Sequence, residues 1–262
     1  MSKSAPFFTV VIPTYNRPAK LERAVRSVLC QTFSDFEVVV VDDASDERVV
    51  LSGLPAKVKL IRSERNAGPG TARNLGIEIA AGEYVAFLDD DDEYLEKFLE
   101  NAHRVLLRGG APADFCWSSV KMLEYNSQAP SEVQETHRLF AESYASEVEL
   151  FESLMSVGTG FGFIARKECL DRVGGFNQNL RAVEDTDLFL KLLSNEFIPT
   201  VISEPNIVVH NHNDARLTSV SMNAIRIREN TELLDTYCDF LECYPNLRRK
   251  IQNHISYLAN MT

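Results

Sequence analysis

Over its first half this chain alternates short β-branched runs with stretches of helical periodicity, and that alternation commits it to a mostly parallel sheet with crossover helices. The runs at Phe8 to Ile12, Glu37 to Val41, Val58 to Ile61 and Tyr84 to Leu88 read as strands. Between them, Pro18 to Gln31 places Leu21, Val25, Val28 and Leu29 on one stripe, and Gly70 to Ala81 does the same with Ala72, Leu75, Gly76 and Ile79. Glu93 to Leu107 reads as a further amphipathic helix, with Leu95, Phe98, Leu99, Ala102 and Leu106 on its stripe, followed by a strand from Phe115 to Met122.

The pattern weakens after that strand. Glu124 to Ala145 is polar and reads as a loop over one end of the sheet. Regularity returns with helices at Glu147 to Met155, Lys167 to Val173 and Asp185 to Leu193, and with short strands at Phe161 to Ala165 and Ile207 to Val209. From Ser221 the chain is helical in two pieces parted by Pro245. The expected organisation is a sheet domain over 1–213, divided near 122 into a nucleotide-binding half (1–122) and an acceptor half (123–213), with a helical appendage over 214–262.

Composition narrows the function classes. A hydrophobic content of 45% can fill a substantial core, and a net charge of −11 argues against nucleic acid as a partner, because backbone binding needs clustered Lys and Arg. The cysteines (Cys30, Cys116, Cys169, Cys238, Cys243) are odd in number, irregularly spaced and without a CxxC pair, and read as reduced thiols of a cytoplasmic protein with no secretory leader. No apolar run approaches the roughly 20 residues of a membrane span, so at most peripheral membrane association is expected.

In an open parallel sheet, ligands bind beyond the carboxyl ends of the strands. All four early strand ends are polar: Pro13-Thr14-Tyr15-Asn16-Arg17, Asp42-Asp43-Ala44-Ser45, the stretch Ser63 to Gly70, and Asp89 to Asp92. Taken singly, the first suits a helix start capped by Asn16, the second a turn, and the third a glycine turn without the ending of a P-loop. The aspartate run is harder to explain structurally. Four adjacent carboxylates repel one another, no neighbouring run of Lys or Arg neutralises them, and oxygen-only donors at a strand end suit Mg2+ or Mn2+. A second acidic group, Glu184, Asp185 and Asp187, opens a helix nearly a hundred residues later. It suits either the helix dipole or a general base facing the same cleft.

Six segments in order resemble the family 2 nucleotide-diphospho-sugar transferases, inverting glycosyltransferases of the GT-A fold: VVIPTYNR (Val10 to Arg17), the helix end at Ser27 to Thr32, FEVVVVDDAS (Phe36 to Ser45), NAGPGTARNLGI (Asn66 to Ile77), GEYVAFLDDDD (Gly82 to Asp92) and GGFNQNLRAVEDTDLFLKL (Gly174 to Leu192). The resemblance spans roughly residues 7 to 213 and implies an α/β, Rossmann-like GT-A sheet flanked by helices. It implies donor contacts from Pro13, Thr14, Tyr15, Arg17, Asp43, Gly68, Arg73, Asp89 and Asp90, with Pro13 and Tyr15 along the base, Asp43 on a uracil-like edge, Arg73 near the base or diphosphate, and Asp90 on the ribose. Asp91 and Asp89 would hold Mn2+ or Mg2+, with His212 or His210 as a further ligand. Asp185 would be the catalytic base and Glu184 would orient the acceptor.

On that resemblance the expected activity is metal-dependent, inverting transfer of one sugar from a nucleotide-sugar donor, a UDP-sugar in preference, to a glycan or lipid-linked glycan acceptor. The lack of a QxxRW motif sets the chain apart from processive synthases. A catalytically silent sugar-nucleotide-binding module is the alternative.

Overall fold

The computed structural model describes residues 5–51, 53, 55–108, 112–125, 132–155, 160, 162–211 and 220–261. Four parallel strands form one half of the sheet, in the order β3 (Val58–Arg62), β2 (Phe36–Asp42), β1 (Phe8–Thr14) and β4 (Tyr84–Phe87). Valines in β2 show why this half is so apolar. Val38 and Val40 enter the core layer with Leu21, Val25 and Val28 of helix α1 (Pro18–Leu29), and Val39 and Val41 enter the opposite layer with Ala72 and Ile77 of helix α2 (Pro69–Ile79). A strand covered on both faces reads as a continuous apolar run rather than an alternating one.

Beyond β4 the sheet turns mixed. Strand β5 (Glu93–Tyr94) and helix α3 (Phe98–Leu106) follow the aspartate run, and β6 (Phe115–Tyr125), β7 (Val133–Arg138), helix α4 (Glu147–Leu154) and β8 (Ile164–Arg166) come next. Helices α5 (Lys167–Val173) and α6 (Glu184–Ser194) then lead into β9 (Pro199–Asn211). The strand order continues from β4 through antiparallel β8, then β6 and its parallel partner β9, to antiparallel β5, with β7 on β6. Helices α7 (Asn223–Thr236), α8 (Cys238–Cys243) and α9 (Pro245–Ala259) close the chain. Their Leu233, Leu241, Leu247 and Ile251 share the core layer of α2 and α6.

Three expectations are corrected. Glu93 does not open a helix: Glu93 and Tyr94 pair with Val208 and Ile207, the Tyr94 hydroxyl donates to the Phe87 carbonyl, and the helix starts only at Phe98. Leu95, which fitted the helical stripe, lies 40% exposed in the turn between them. The polar stretch after Met122 is not all loop, since β6 runs on to Tyr125 and pairs with β7, whose solvent-facing residues hide its strand character (126–131 lie outside the described residues). The short strand at Ile207 to Val209 is the end of a 13-residue one, disguised by the polar Ser203-Glu204 step at a break in register against Ser118 and Ser119.

Close packing of α2 on β1 requires Gly76. A Cβ there would stand 2.3 Å from Val11 Cγ1, inside any allowed contact. Gly76→Ala is expected to lower unfolding free energy by about 1–3 kcal/mol through overpacking, read as a shifted midpoint at constant m-value in urea.

Candidate active site

The strand order 3-2-1-4 reverses direction at β1, so the loops after β1, β2 and β4 diverge around a crevice at their carboxyl ends. Two of these loops are stitched together at once. Asn16, in the left-handed region at φ 56°, donates from its side chain to Asp46 (2.9 Å) and accepts from the Asp46 backbone (2.8 Å), and its own N–H donates to the Ser45 hydroxyl (2.9 Å). Asn16 therefore ties two loops and does not cap α1, which has no side-chain cap. Asp42 accepts from Ser45 N–H (2.8 Å) and Arg62 (2.7 Å); burial pushes its carboxyl up, but these partners outweigh that and leave it below the usual range.

Asp43 is buried beside them. Its carboxylate accepts from the N–H groups of Ala67 (3.1 Å) and Gly68 (2.8 Å), so it fixes the glycine loop that leads into α2. Gly68 has φ 89°, a conformation that favours glycine. Pro13 is buried within β1 and Tyr15 stands 41% exposed at the crevice.

The aspartate run divides its four carboxylates among four surroundings. Asp90 is buried and accepts from the Thr14 hydroxyl (2.7 Å) and Arg17 (3.2 Å); burial pushes its carboxyl up to about 6 in spite of both. Asp91 meets Arg17 at 3.0 Å and Lys20 at 3.8 Å. Asp89 meets Arg73 at 2.8 Å, and Asp92 accepts from the His210 backbone N–H (2.9 Å). No run of Lys or Arg neighbours these carboxylates in sequence; the cations that meet them come from afar, Arg17 and Lys20 from the start of α1 and Arg73 from α2.

Arg73 is the junction. Only 6% of its side chain is exposed, and it reaches Asp89 at 2.8 Å, Glu184 at 3.4 Å and Asp185 at 3.7 Å, with its guanidinium carbon 5.4 Å from the Phe176 ring centre. Burial opposes its charge, yet the three carboxylates hold it above its usual value. Burial first and then the charge of Asp185 push the Glu184 carboxyl up to about 7, against the pull of Arg73. Asp185 is the more open of the pair, with 29% of its side chain exposed.

His210 is buried, with Nδ1 at 2.6 Å from the Tyr125 hydroxyl and Nε2 at 2.7 Å from Glu93, and burial lowers its pKa. Both ring nitrogens are engaged away from the aspartates. His212, the other histidine, lies outside the described residues. Among the described residues no three metal-ligating side chains converge on one point. Asp89 and Asp91 nonetheless suit a hard divalent ion that completes its shell with phosphate and water oxygens. Space beside Asp89 depends on Gly160, where a Cβ would lie 2.7 Å from Asp89 Oδ2.

Sequence reasoning missed Asn74 and Gly160. Asn74 donates to the Phe176 carbonyl and accepts from the Phe176 N–H, both at 2.8 Å, pinning the Gly174-Gly175-Phe176 turn to α2. Its place beside Arg73 in the ARN triplet was the available signal.

The family described as Glycosyl transferase family 2 matches residues 9–172, well over half of the chain. The chain belongs to glycosyl transferase family 2. Glu184 and Asp185 lie past the matched segment, so their link to the site rests on Arg73. An uncharacterized glycosyltransferase of Haemophilus influenzae is 33% identical over 207 residues, which cover 75% of this chain and 66% of that protein. Among solved structures, the 1-349 segment of S. aureus TarS in complex with UDP-GlcNAc superposes with a TM-score of 0.66 at 21% identity, covering 87% of this chain and 66% of that one. The chain spans 39% of a longer TarS chain. Mannosyltransferase PcManGT from Pyrobaculum calidifontis, in complex with GDP-Man and Mn2+, gives 0.62 at 19% identity over 98% of this chain and 72% of that one. The likeness in architecture is that of the GT-A fold.

Thr14→Val tests how the run is held. It keeps the shape of β1 but removes the hydroxyl donor of a buried carboxylate, and should cost about 1–3 kcal/mol in denaturant unfolding, with a much smaller loss in the Asp90→Ala background, where no acceptor remains.

Proposed function

We propose that this family 2 enzyme is an inverting glycosyltransferase. It moves a sugar from a nucleotide-diphosphate donor, a UDP-sugar in preference, to a hydroxyl of a glycan or lipid-linked glycan acceptor, one addition at a time. The observation that carries the proposal is the meeting of Asp89 and Asp185 on the buried guanidinium of Arg73 at the carboxyl end of the sheet. The UDP-GlcNAc held by TarS supports the uridine preference. The Mn2+ held by PcManGT supports a divalent ion.

In this reading Tyr15 and Pro13 flank the base, with Asp43 at its polar edge and the Gly68 loop beside it. Asp90 serves the ribose. Asp89 and Asp91 are the donors for Mn2+ or Mg2+, which when bound neutralises charge on the leaving diphosphate. Arg17, which now meets Asp90 and Asp91, stands ready to pair with diphosphate oxygens instead.

Asp185 takes the proton from the acceptor hydroxyl as that oxygen attacks the anomeric carbon from the face opposite the leaving group. One displacement inverts the configuration, and no covalent intermediate forms. Arg73, 3.7 Å from Asp185, holds that carboxylate in place, and Glu184 beside it orients the acceptor.

Asp185→Asn should lower transfer by about 10²–10⁴-fold while leaving donor affinity nearly unchanged. Asp91→Ala should weaken donor binding only when Mn2+ is present. A thermal-shift screen of UDP-, GDP- and dTDP-sugars with Mn2+ or with EDTA names the donor, since a ligand at 100 times its Kd stabilises by about 2.7 kcal/mol. Near-normal turnover by Asp185→Asn would remove the base assignment. Donor binding without sugar transfer or hydrolysis under any acceptor would favour a silent binding module.

A further inference from the structure

The helix that carries Glu184 and Asp185 is approached by irregular chain. Gly174 and Gly175 have φ 74° and 62°, and a turn closes from Leu180 N–H to the Asn177 carbonyl (3.2 Å). No regular structure leads into α6, so besides Arg73 on its acidic side chains its first turn depends on the groups that grip the backbone ahead of it. Asn74 grips one end, at Phe176.

The other grip comes from the C-terminal helices. Glu229 of α7 is 1% exposed, and its carboxylate accepts from the backbone N–H of Arg181 (3.1 and 3.2 Å) and of Ala182 (3.0 Å). A buried carboxylate is held there only because these donors replace its hydration, and charge-assisted bonds of this kind are short and directional. Arg228, at 3.6 Å, is 62% exposed and is screened by water. On the far side of the acidic pair, the Tyr237 hydroxyl donates to Asp187 Oδ1 at 2.7 Å, and Lys191 meets the other oxygen at 3.0 Å. The two contacts bracket Asp185, three residues before it and two after.

We infer that Glu229, seconded by Tyr237, is a positioning residue for the acidic pair, so that the C-terminal helices set the geometry of the proposed base. This inference rests on the assignment of Asp185 as base. Glu229 touches no reacting atom; it acts by fixing the N–H groups of Arg181 and Ala182, and through them the first turn of α6.

The experiment uses the full chain and follows UDP release from UDP-GlcNAc with Mn2+, together with amide hydrogen exchange across residues 178–188. Glu229→Ala should lower kcat at least tenfold with donor KM within twofold, and should speed exchange at Arg181 and Ala182. Glu229→Gln, which keeps an acceptor oxygen, should recover most of kcat. Tyr237→Phe should lower kcat severalfold with donor KM again unchanged, and decides the matter if Glu229→Ala does not fold. Wild-type kcat in folded Glu229→Ala overturns the inference, as does a matching loss of donor binding or a failure of Glu229→Gln to rescue. Asp185→Asn measured alongside separates the two claims: normal turnover there sinks the base assignment, while exchange at Arg181 and Ala182 still reads the clamp.

Discussion

A single buried guanidinium holds the candidate site together. Arg73 reaches Asp89 from the end of β4 and Glu184 and Asp185 from the start of α6, segments separated by nearly a hundred residues. Without that cation, three carboxylates in a partly desolvated crevice would repel one another. With it, a strand-end acidic group and a helix-start acidic group become one site. Asn74, the next residue, fastens the turn that leads to α6, so two adjacent positions of α2 set both the charge and the backbone of the second group.

The rest of the fold supplies what Arg73 needs. Four parallel strands put Thr14, Asp42 and Leu88 at one end of the sheet, and α2 packs closely enough on Val11, through Gly76, to carry Arg73 beneath the aspartates. The C-terminal helices fasten the other side of α6 through Glu229 and Tyr237. Burial around this frame divides the carboxylates by environment. Asp90 and Glu184 are pushed up to about 6 and about 7, while Asp42, well partnered, is held low.

What could be read in the sequence follows from which signals are local. The parallel half was legible because β2 is apolar on both faces and α1 carries a clean stripe; on α2 the buried face runs through Ala72, Gly76 and Ile77 while Ile79, read as part of its stripe, is exposed. The helix α6 was legible from Leu188, Phe189, Leu192 and Leu193. Strands β5, β7 and the first part of β9 were not, because their pairing partners are distant and their residues are polar or too few to show a period. The same distinction holds within the site. The aspartate run and the acidic pair announced themselves, but their neutralisation by Arg17, Lys20 and Arg73 is a tertiary fact with no local trace. The family match ends at residue 172, so only the fold brings Asp185 to the other carboxylates.

The most direct test is a double-mutant cycle on turnover, with Arg73→Gln, Asp185→Asn and both together. If Arg73 acts by holding Asp185 in place across their 3.7 Å contact, the second substitution should cost far less in the presence of the first, with a coupling on the order of 1–3 kcal/mol in activation free energy. Strictly additive losses, with both single variants folded, would contradict the account: Arg73 and Asp185 would then serve the reaction independently.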